Sequence, residues 1–388
     1  ALGPFDYDGP VRTKSLWWAE GVTNYYTNVL LARAGLMSEA EFLAGYRNLL
    51  ASYVNNPATR TFSPEETSWT VWDGPYLQGP VNYYDQGEVL GLLMDAEIRA
   101  ATDGRRSLDD AVRLLYRRFS GARGFQSEDL IVGIRDATGV DLHAFFLDHV
   151  SGAKEPDWTR AFAHLGVRFD ALPRLAPALT LTGRSREDGG IEVTEVPAGS
   201  TAERFGLRAG DVITTVDGKP ATTTGAFARR VRELGAGAEL KATVRRDGKE
   251  TALVGTLEPT GELAKAPLRA DPESRGPRLG RLPAGAALDE AGFAAGDVLV
   301  RIGDVEVADV DAAKRALAAV KVGDRVRVVA RRGDVTVQAD VPSKPWIVRD
   351  VVLDIDPEAP PARHALRRAL LGVKPTAPAS VAPARKAG

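Results

Sequence analysis

Glu20 is the one acid in SLWWAEGVTNYY, residues 15–26, with Trp17 and Trp18 before it and Tyr25 and Tyr26 after it. A carboxylate buried among such side chains loses hydration and stays ionised only beside a cation or several donors. Zinc carrying two neutral imidazoles is one such cation. An arginine partner, or plain exposure to water, meets the same need without any chemistry. The four histidines, His143, His149, His164 and His364, lie in no His-Glu-x-x-His pattern. His143 and His149 are six apart, about 240° around a helix, so they do not share a metal as an i, i+4 pair can. They read as ordinary helix residues. The absence of cysteine removes disulfides, thiolate zinc sites and thiol catalysis from this chain.

The elements that must carry these residues change character near residue 170. Before it the chain reads as helical. SEAEFLAGYRNLLASYV opens with Ser38 and Glu41 in capping-box spacing and then repeats apolar residues every three or four positions. VNYYDQGEVLGLLMDAEIRAATDG keeps that period and stops at Asp103-Gly104; SLDDAVRLLYRRF, SEDLIVGIRDATG and DLHAFFLDHVSG follow as shorter helices. Residues 56–80, with Trp69, Trp72 and four prolines, read as a long irregular segment, ordered by its tryptophans. Those indoles either wall a cleft or anchor the loop by packing.

The second part repeats itself. PAGSTAERFGLRAGDVITTVDG at 197–218 aligns without a gap on PAGAALDEAGFAAGDVLVRIGD at 283–304, and the same offset carries VRELGAGAELKATVRR onto LAAVKVGDRVRVVARR. Each copy alternates β-branched strands, Gly-Asp turns and one helix, which predicts two small β-rich domains of one fold. The fold class expected is therefore multidomain α+β. Its parts are a helical region 1–170, β-rich domains at 171–260 and 264–343, an extension 344–372 with one strand and a final helix, and a Pro/Ala-rich tail 373–388 that reads as disordered.

Both copies resemble bacterial PDZ domains, through AGDVITTVDG and AGDVLVRIGD, each preceded by a Pro-Ala-Gly turn and a short helix ending at Gly206 or Gly292. The resemblance implies that a peptide docks by adding a strand to a sheet edge beside a helix. In the first copy the groove would lie between ALTLTG, 178–183, and GAFARRVREL, 225–234. Leu179 and Leu181, on one face of a strand, would line it with Phe227 and Val231. The matching edge of the second copy reads KAPLRAD, where Pro267 removes a donor and argues against strand addition. Both copies also read as spacers or docking modules without a ligand.

In the first part LGPFDY, LWWAEGVTNYY, SPEETSWTVW, NYYDQGEVLGLLMDAEIR and GRRSLDDAVRLLYRRF resemble, in this order, segments of the glycyl aminopeptidase family of zinc metallopeptidases, gluzincins of the thermolysin-like clan with C-terminal PDZ domains. The resemblance covers about residues 1–170. It implies a thermolysin-like catalytic domain in which His-Glu-x-x-His gives two zinc ligands and the general base, and Glu20 corresponds to the third ligand. It also implies that Tyr84, in YDQG, donates a hydrogen bond to the oxyanion formed as water adds to the scissile carbonyl. Gln86 stands where the family has lysine, and adjacent Tyr83 leaves the register open. By this resemblance Ala1 falls ~10 residues after the second ligand histidine, so the chain reads as the C-terminal piece of a longer enzyme, binding no zinc alone.

The activity implied is hydrolysis of N-terminal Gly or Ala peptide bonds, with Zn2+ as cofactor of the intact parent and peptides or proteins as substrates. Two other readings stand beside it. One is a non-catalytic tandem-PDZ protein that binds peptide C-termini on a helical scaffold; the other is a structural role with both grooves covered. A formal net charge of -2, with acids and bases interspersed, gives no field for nucleic acid or an anionic membrane. No apolar run reaches the ~18 residues of a membrane span. A periplasmic or secreted location is expected for the parent.

Overall fold

The computed structural model describes residues 8–73, 80–121, 124–271, 273–274 and 276–373. The segment LGPFDY and the tail from 374 lie outside them. The chain divides into two compact units, Ala1–Leu172 with Asp350–Gly388, and Pro173–Arg349.

The first unit opens with a π-helical turn, Trp17–Val22, that runs directly into α1 (Thr23–Arg33). Next comes α2 (Glu39–Asn55), whose capping box forms: the Glu41 amide donates to Ser38 Oγ at 3.2 Å and the Ser38 amide to Glu41 Oε2 at 2.8 Å. Residues 56–73 are not the irregular stretch the sequence suggested. They hold a 3-10 turn, Pro57–Arg60, and α3 (Pro64–Thr70), which starts with proline at its first position and Ser63 as its cap. The long α4 (Tyr83–Ala101) is the central element, buried on several faces; α5 (Leu108–Phe119) packs on it, α6 (Ser127–Thr138) on α5, α7 (His143–His149) sets Phe146 against Trp17, and α8 (Trp158–Ala163) packs on α4.

α4 admits its neighbours closely because of glycines four apart. A methyl on Gly91 would lie 3.0 Å from the Tyr25 ring, and one on Gly87 would overlap the carbonyl of Trp17. At the centre of the unit fully buried Asp95 accepts the Tyr25 hydroxyl at 2.6 Å, Arg99 Nε at 2.8 Å and the Leu108 amide at 2.7 Å, so both of its oxygens are bonded.

The second unit contains the repeat. The first copy comprises β3 (Thr182–Ser185), β4 (Ile191–Glu195), α9 (Thr201–Phe205), β5 (Val212–Val216), β6 (Lys219–Pro220), α10 (Thr224–Leu234), β7 (Glu239–Arg246) and β8 (Lys249–Thr256). It follows β1 (Val167–Leu175) and β2 (Pro177–Ala178), which pairs with β9 (Glu258–Pro259). The second copy runs β10 (Leu268–Ala270), β11 (Pro277–Leu279), α11 (Ala287–Glu290), β12 (Val298–Ile302), β13 (Val305–Glu306), α12 (Val310–Ala319), β14 (Arg325–Arg332) and β15 (Val335–Pro342). Both are six-stranded antiparallel sheets of matching order, β3-β4-β5-β7-β8 and β10-β11-β12-β14-β15, each with a register shift at the same place, Ile213/Thr215 and Leu299/Arg301. Each has its own apolar core.

One ion pair is duplicated with the sheet. Asp211, 1 % exposed, takes Arg246 Nε at 2.7 Å and Nη2 at 2.8 Å, and Nη2 also donates to the Gly206 carbonyl. Asp297 and Arg332 repeat this at 2.7 and 2.8 Å, with Gly292 as the carbonyl. Burial pushes both carboxyls up, but the arginine and the backbone amides of Arg208 and Ala294 outweigh it and hold them below the usual carboxylate range.

The segment 344–372 is not a free-standing extension. β16 (Ile347–Ile355) pairs with β1, and α13 (Pro361–Leu371) buries Leu366, Leu370 and Leu371 in the core of the helical unit. Buried Arg367 donates to the carbonyls of Leu165 (2.8 Å) and Gly166 (3.0 Å) and meets Glu39, while Arg33 Nε donates to the Leu370 carbonyl at 2.8 Å.

Candidate functional site

Glu20 sits in the π-helical turn, half-buried. A π-turn carries one extra residue per hydrogen-bonded ring and is frequent at functional positions. Among the described residues its carboxylate has no hydrogen-bond or ion-pair partner. The tyrosines expected around it serve other groups. The Tyr25 hydroxyl is committed to Asp95, and that of Tyr26 to Asp109 at 3.1 Å, and burial first and these carboxylates second raise both phenols far above their ordinary range.

Tyr84 lies in the first turn of α4, which crosses the π-turn backbone to backbone. A methyl on Gly21 would stand 2.5 Å from Gly87 Cα, 2.8 Å from the Tyr84 carbonyl oxygen and 2.9 Å from that of Tyr83. Glycine on both sides is what permits this crossing, and it sets the residue after Glu20 against the turn bearing Tyr84. Of the two stacked tyrosine rings, 4.8 Å apart, Tyr83 is buried and Tyr84 half-buried. Asn82 caps the helix by accepting the Tyr84 amide at 2.9 Å.

Gln86 is fully buried and faces α3. Its Oε1 accepts from Thr67 Oγ1 at 2.7 Å and its Nε2 donates to the Phe62 carbonyl at 2.9 Å. The next residue of α3, Ser68, accepts the Trp17 amide at 3.0 Å and donates to the Pro64 carbonyl at 2.7 Å. Trp69 and Trp72 are 45 % and 40 % exposed; Arg12 donates to the Trp69 carbonyl and Trp72 Nε1 to the Val11 carbonyl, so both are tied to residues 11–12. Sequence reading passed over Glu88, one turn into α4. Burial pushes its carboxyl up to about 7, against a hydrogen bond from Asn28 Nδ2 (2.8 Å) and with help from Asp85, itself raised by burial.

An unpartnered, half-buried carboxylate suits one oxygen ligand of zinc, but a zinc centre takes three or four. No group of three His, Cys, Asp or Glu side chains that could hold a metal occurs among the described residues. His143 is exposed, His149 Nδ1 lies 2.8 Å from the Lys154 carbonyl, His164 is 3.4 Å from Glu97, and His364 Nδ1 is 3.0 Å from Arg367. The described residues therefore do not make a zinc site by themselves.

The four groove residues of the first repeat come together. Leu179 and Leu181, half-buried, pack on the apolar cluster that holds buried Phe227 and Val231 of α10. The strand, however, starts only at Thr182. Residues 179–181 form a loop, in which the Thr180 amide donates to Thr201 Oγ1 at 3.0 Å. β3 is the end strand of its sheet, so one edge is unpaired there. In the second copy the chain just ahead of β10 is wound into a 3-10 turn, Glu262–Lys265, with Leu263 buried in the apolar core that also holds Ala313 and Leu317 of α12. Three amides there are engaged: Glu262 on the Lys344 carbonyl, Ala264 on Gly261 and Ala266 on Leu263. Glu262 Oε1 accepts the Ala287 amide at 3.2 Å.

No helix among the described residues is long and apolar enough to cross a membrane. The M61 glycyl aminopeptidase family matches residues 1–90, and the PDZ domain family matches 163–254 and 283–342. A probable periplasmic serine endoprotease DegP-like of Rhizobium meliloti (strain 1021) is 32 % identical over 152 residues, 36 % of this chain and 29 % of its own length. Among solved structures, an aminopeptidase N family protein from Idiomarina loihiensis aligns with a TM-score of 0.48 at 20 % identity, over 66 % of this chain and 47 % of that one. The serine endoprotease from Yersinia pestis aligns with a TM-score of 0.20 at 27 % identity, over 22 % and 29 %. The chain thus spans less than half the length of these relatives. Its first 90 residues are similar to the M61 glycyl aminopeptidase family, and two later stretches are similar to PDZ domains.

Proposed function

We propose that this chain is the C-terminal portion of a zinc metallo-aminopeptidase that removes N-terminal Gly or Ala residues, with Glu20 as one zinc ligand and Tyr84 as the oxyanion donor. The observation that carries it is the Gly21–Gly87 crossing, which brings the two residues' turns into backbone contact. Residues outside this sequence supply the other ligands and the general base. Zinc, when bound, would supply Lewis-acid polarisation of the scissile carbonyl and a more acidic water. Glu20 contributes an oxygen that needs no protein donor to be displaced. The Tyr84 phenol donates to the oxygen on which negative charge grows, an interaction stronger in the transition state than in the ground state. By itself the chain is inactive. The DegP-like relative supports a periplasmic or extracellular location.

The test is zinc per chain and glycyl-p-nitroanilide hydrolysis by the intact parent, with residues upstream of Ala1 restored. One zinc per chain, lost in Glu20→Gln, supports the reading. Tyr84→Phe should keep zinc and lose roughly 10²–10³ in kcat. A parent with no zinc and no hydrolysis ends it.

The unpaired β3 edge beside α10 favours a second role, peptide capture at the first PDZ domain. Its amide-bearing loop and the Leu179, Leu181, Phe227 and Val231 cluster suit an apolar C-terminal residue. If this capture is the protein's whole function, the parent binds peptide but neither zinc nor an aminopeptidase substrate.

A further inference from the structure

Glu20 and Tyr84 stand on different elements, and consecutive residues of α3 are bonded to each. Thr67 reaches the first turn of α4 through Gln86, and Ser68 reaches the first residue of the π-turn through the Trp17 amide. Thr67 is 7 % exposed, and Ser68 and Gln86 are 0 % exposed. Water does not substitute easily for either bond, and a helix's opening turn has amides without intrahelical partners, so side chains from outside govern where it sits.

We propose that Thr67 and Ser68 are positioning residues that set the two halves of the site separately, Thr67 the Tyr84 turn and Ser68 the Glu20 turn. The proposal rests on the zinc-aminopeptidase reading. Gln86 is the fitting partner. It offers the acceptor that Thr67 needs and the donor that the Phe62 carbonyl needs, whereas a lysine would bring donors alone and bury a cation. The family's lysine position has here become a neutral coupling between α4 and α3.

The separation is measurable in the intact parent. Thr67→Val keeps the shape of the side chain and leaves Ser68 in place. It should lower kcat about tenfold while zinc affinity and KM stay within about twofold, the low end of what a lost supporting bond costs. Ser68→Ala should do the reverse at the metal, lowering zinc affinity about tenfold. Thr67→Ser, which retains the hydroxyl, should restore kcat. Gln86→Met, similar in length and without a polar head, should copy Thr67→Val, and serves if that variant folds poorly. Equal loss of zinc affinity and kcat in both single variants is the signature of a purely structural role and overturns the proposal, as does no change in either beside an active wild type. A wild-type parent without zinc or hydrolysis removes the aminopeptidase reading, and this proposal with it.

Discussion

Replacing Gly87 by alanine puts the crossing of the π-turn and α4 to a quantitative test. The added methyl would overlap the Trp17 carbonyl and lie 2.8 Å from Gly21 Cα, so backbone, not a yielding side chain, must move. Overpacking of this kind costs ~1–3 kcal/mol, and with backbone on the receiving side the upper value applies. Alanine returns about 1 kcal/mol of helix propensity, leaving a net loss of about 2 kcal/mol. Gly45, in α2, provides the control: nothing lies within 4 Å of its added methyl, so Gly45→Ala should stabilise by ~0.5–1 kcal/mol. Urea unfolding followed by tryptophan fluorescence reads the helical unit, since five of the six tryptophans, Trp17, Trp18, Trp69, Trp72 and Trp158, belong to it. The two substitutions are expected to move the midpoint in opposite directions. If Gly87→Ala is as stable as wild type, the close crossing does not exist in solution and the placement of Glu20 against the Tyr84 turn falls with it.

Glu88, raised to about 7, is neutral in both states in acid, and its burial lowers stability as pH rises from the ordinary glutamate value through about 7. Glu88→Gln should therefore flatten the pH dependence of unfolding between pH 5 and 8 and stabilise the unit at pH 8 but not at pH 4; an unchanged slope refutes the shift. Asp211 and Asp297 have lowered pKa values, so their contribution is full above the ordinary aspartate value of about 4 and is lost as pH falls below it. Arg246→Met strands a buried carboxylate and should cost about 3 kcal/mol, more than Arg332→Met, because the Arg332 side chain is 48 % exposed against 21 % for Arg246. Equal losses, read by hydrogen exchange in the two sheets, contradict that ranking. A fluorescent peptide with a free apolar C-terminus should saturate at one site per chain and weaken about tenfold or more in Val231→Asp, whereas a second equal site would show that the wound loop at Glu262–Lys265 does not close the other groove.

The legible parts of the fold were those written in local chemistry. The capping box at Ser38 and Glu41, the exits at Gly139 and Gly206 and the 86-residue repeat each follow from a few neighbouring residues, and the repeat holds strand by strand. α3 was signalled too, by Ser63 as cap and Pro64 at the first position, but four prolines and two tryptophans in 56–80 drew the reading toward a loop. The start of β3 was misplaced by the alternation of ALTLTG, which serves a loop packed on the core as well as it would a strand. At the site, Glu20 and Tyr84 were named from motif resemblance, yet what joins their turns was not readable. Gly21 and Gly87 touch only because two helices cross there, and the partners of Gln86 come from α3. The raised carboxyl of Glu88 likewise depends on helices that no sequence window contains.

The return of β16 and α13 to the first unit has a consequence for how the chain is made. About 200 residues separate β1 from the end of α13, and at ~5–20 residues per second the ribosome needs tens of seconds to cover them. The nascent helical region waits through that interval without Leu366, Leu370 and Leu371 in its core or Arg367 beneath Leu165 and Gly166. Both PDZ domains, contiguous in sequence, are complete before it is. The N-terminal unit, first to be synthesised, is thus the last to close, and a transcript cut short between residues 342 and 371 yields two finished repeat domains tethered to an unfinished helical unit.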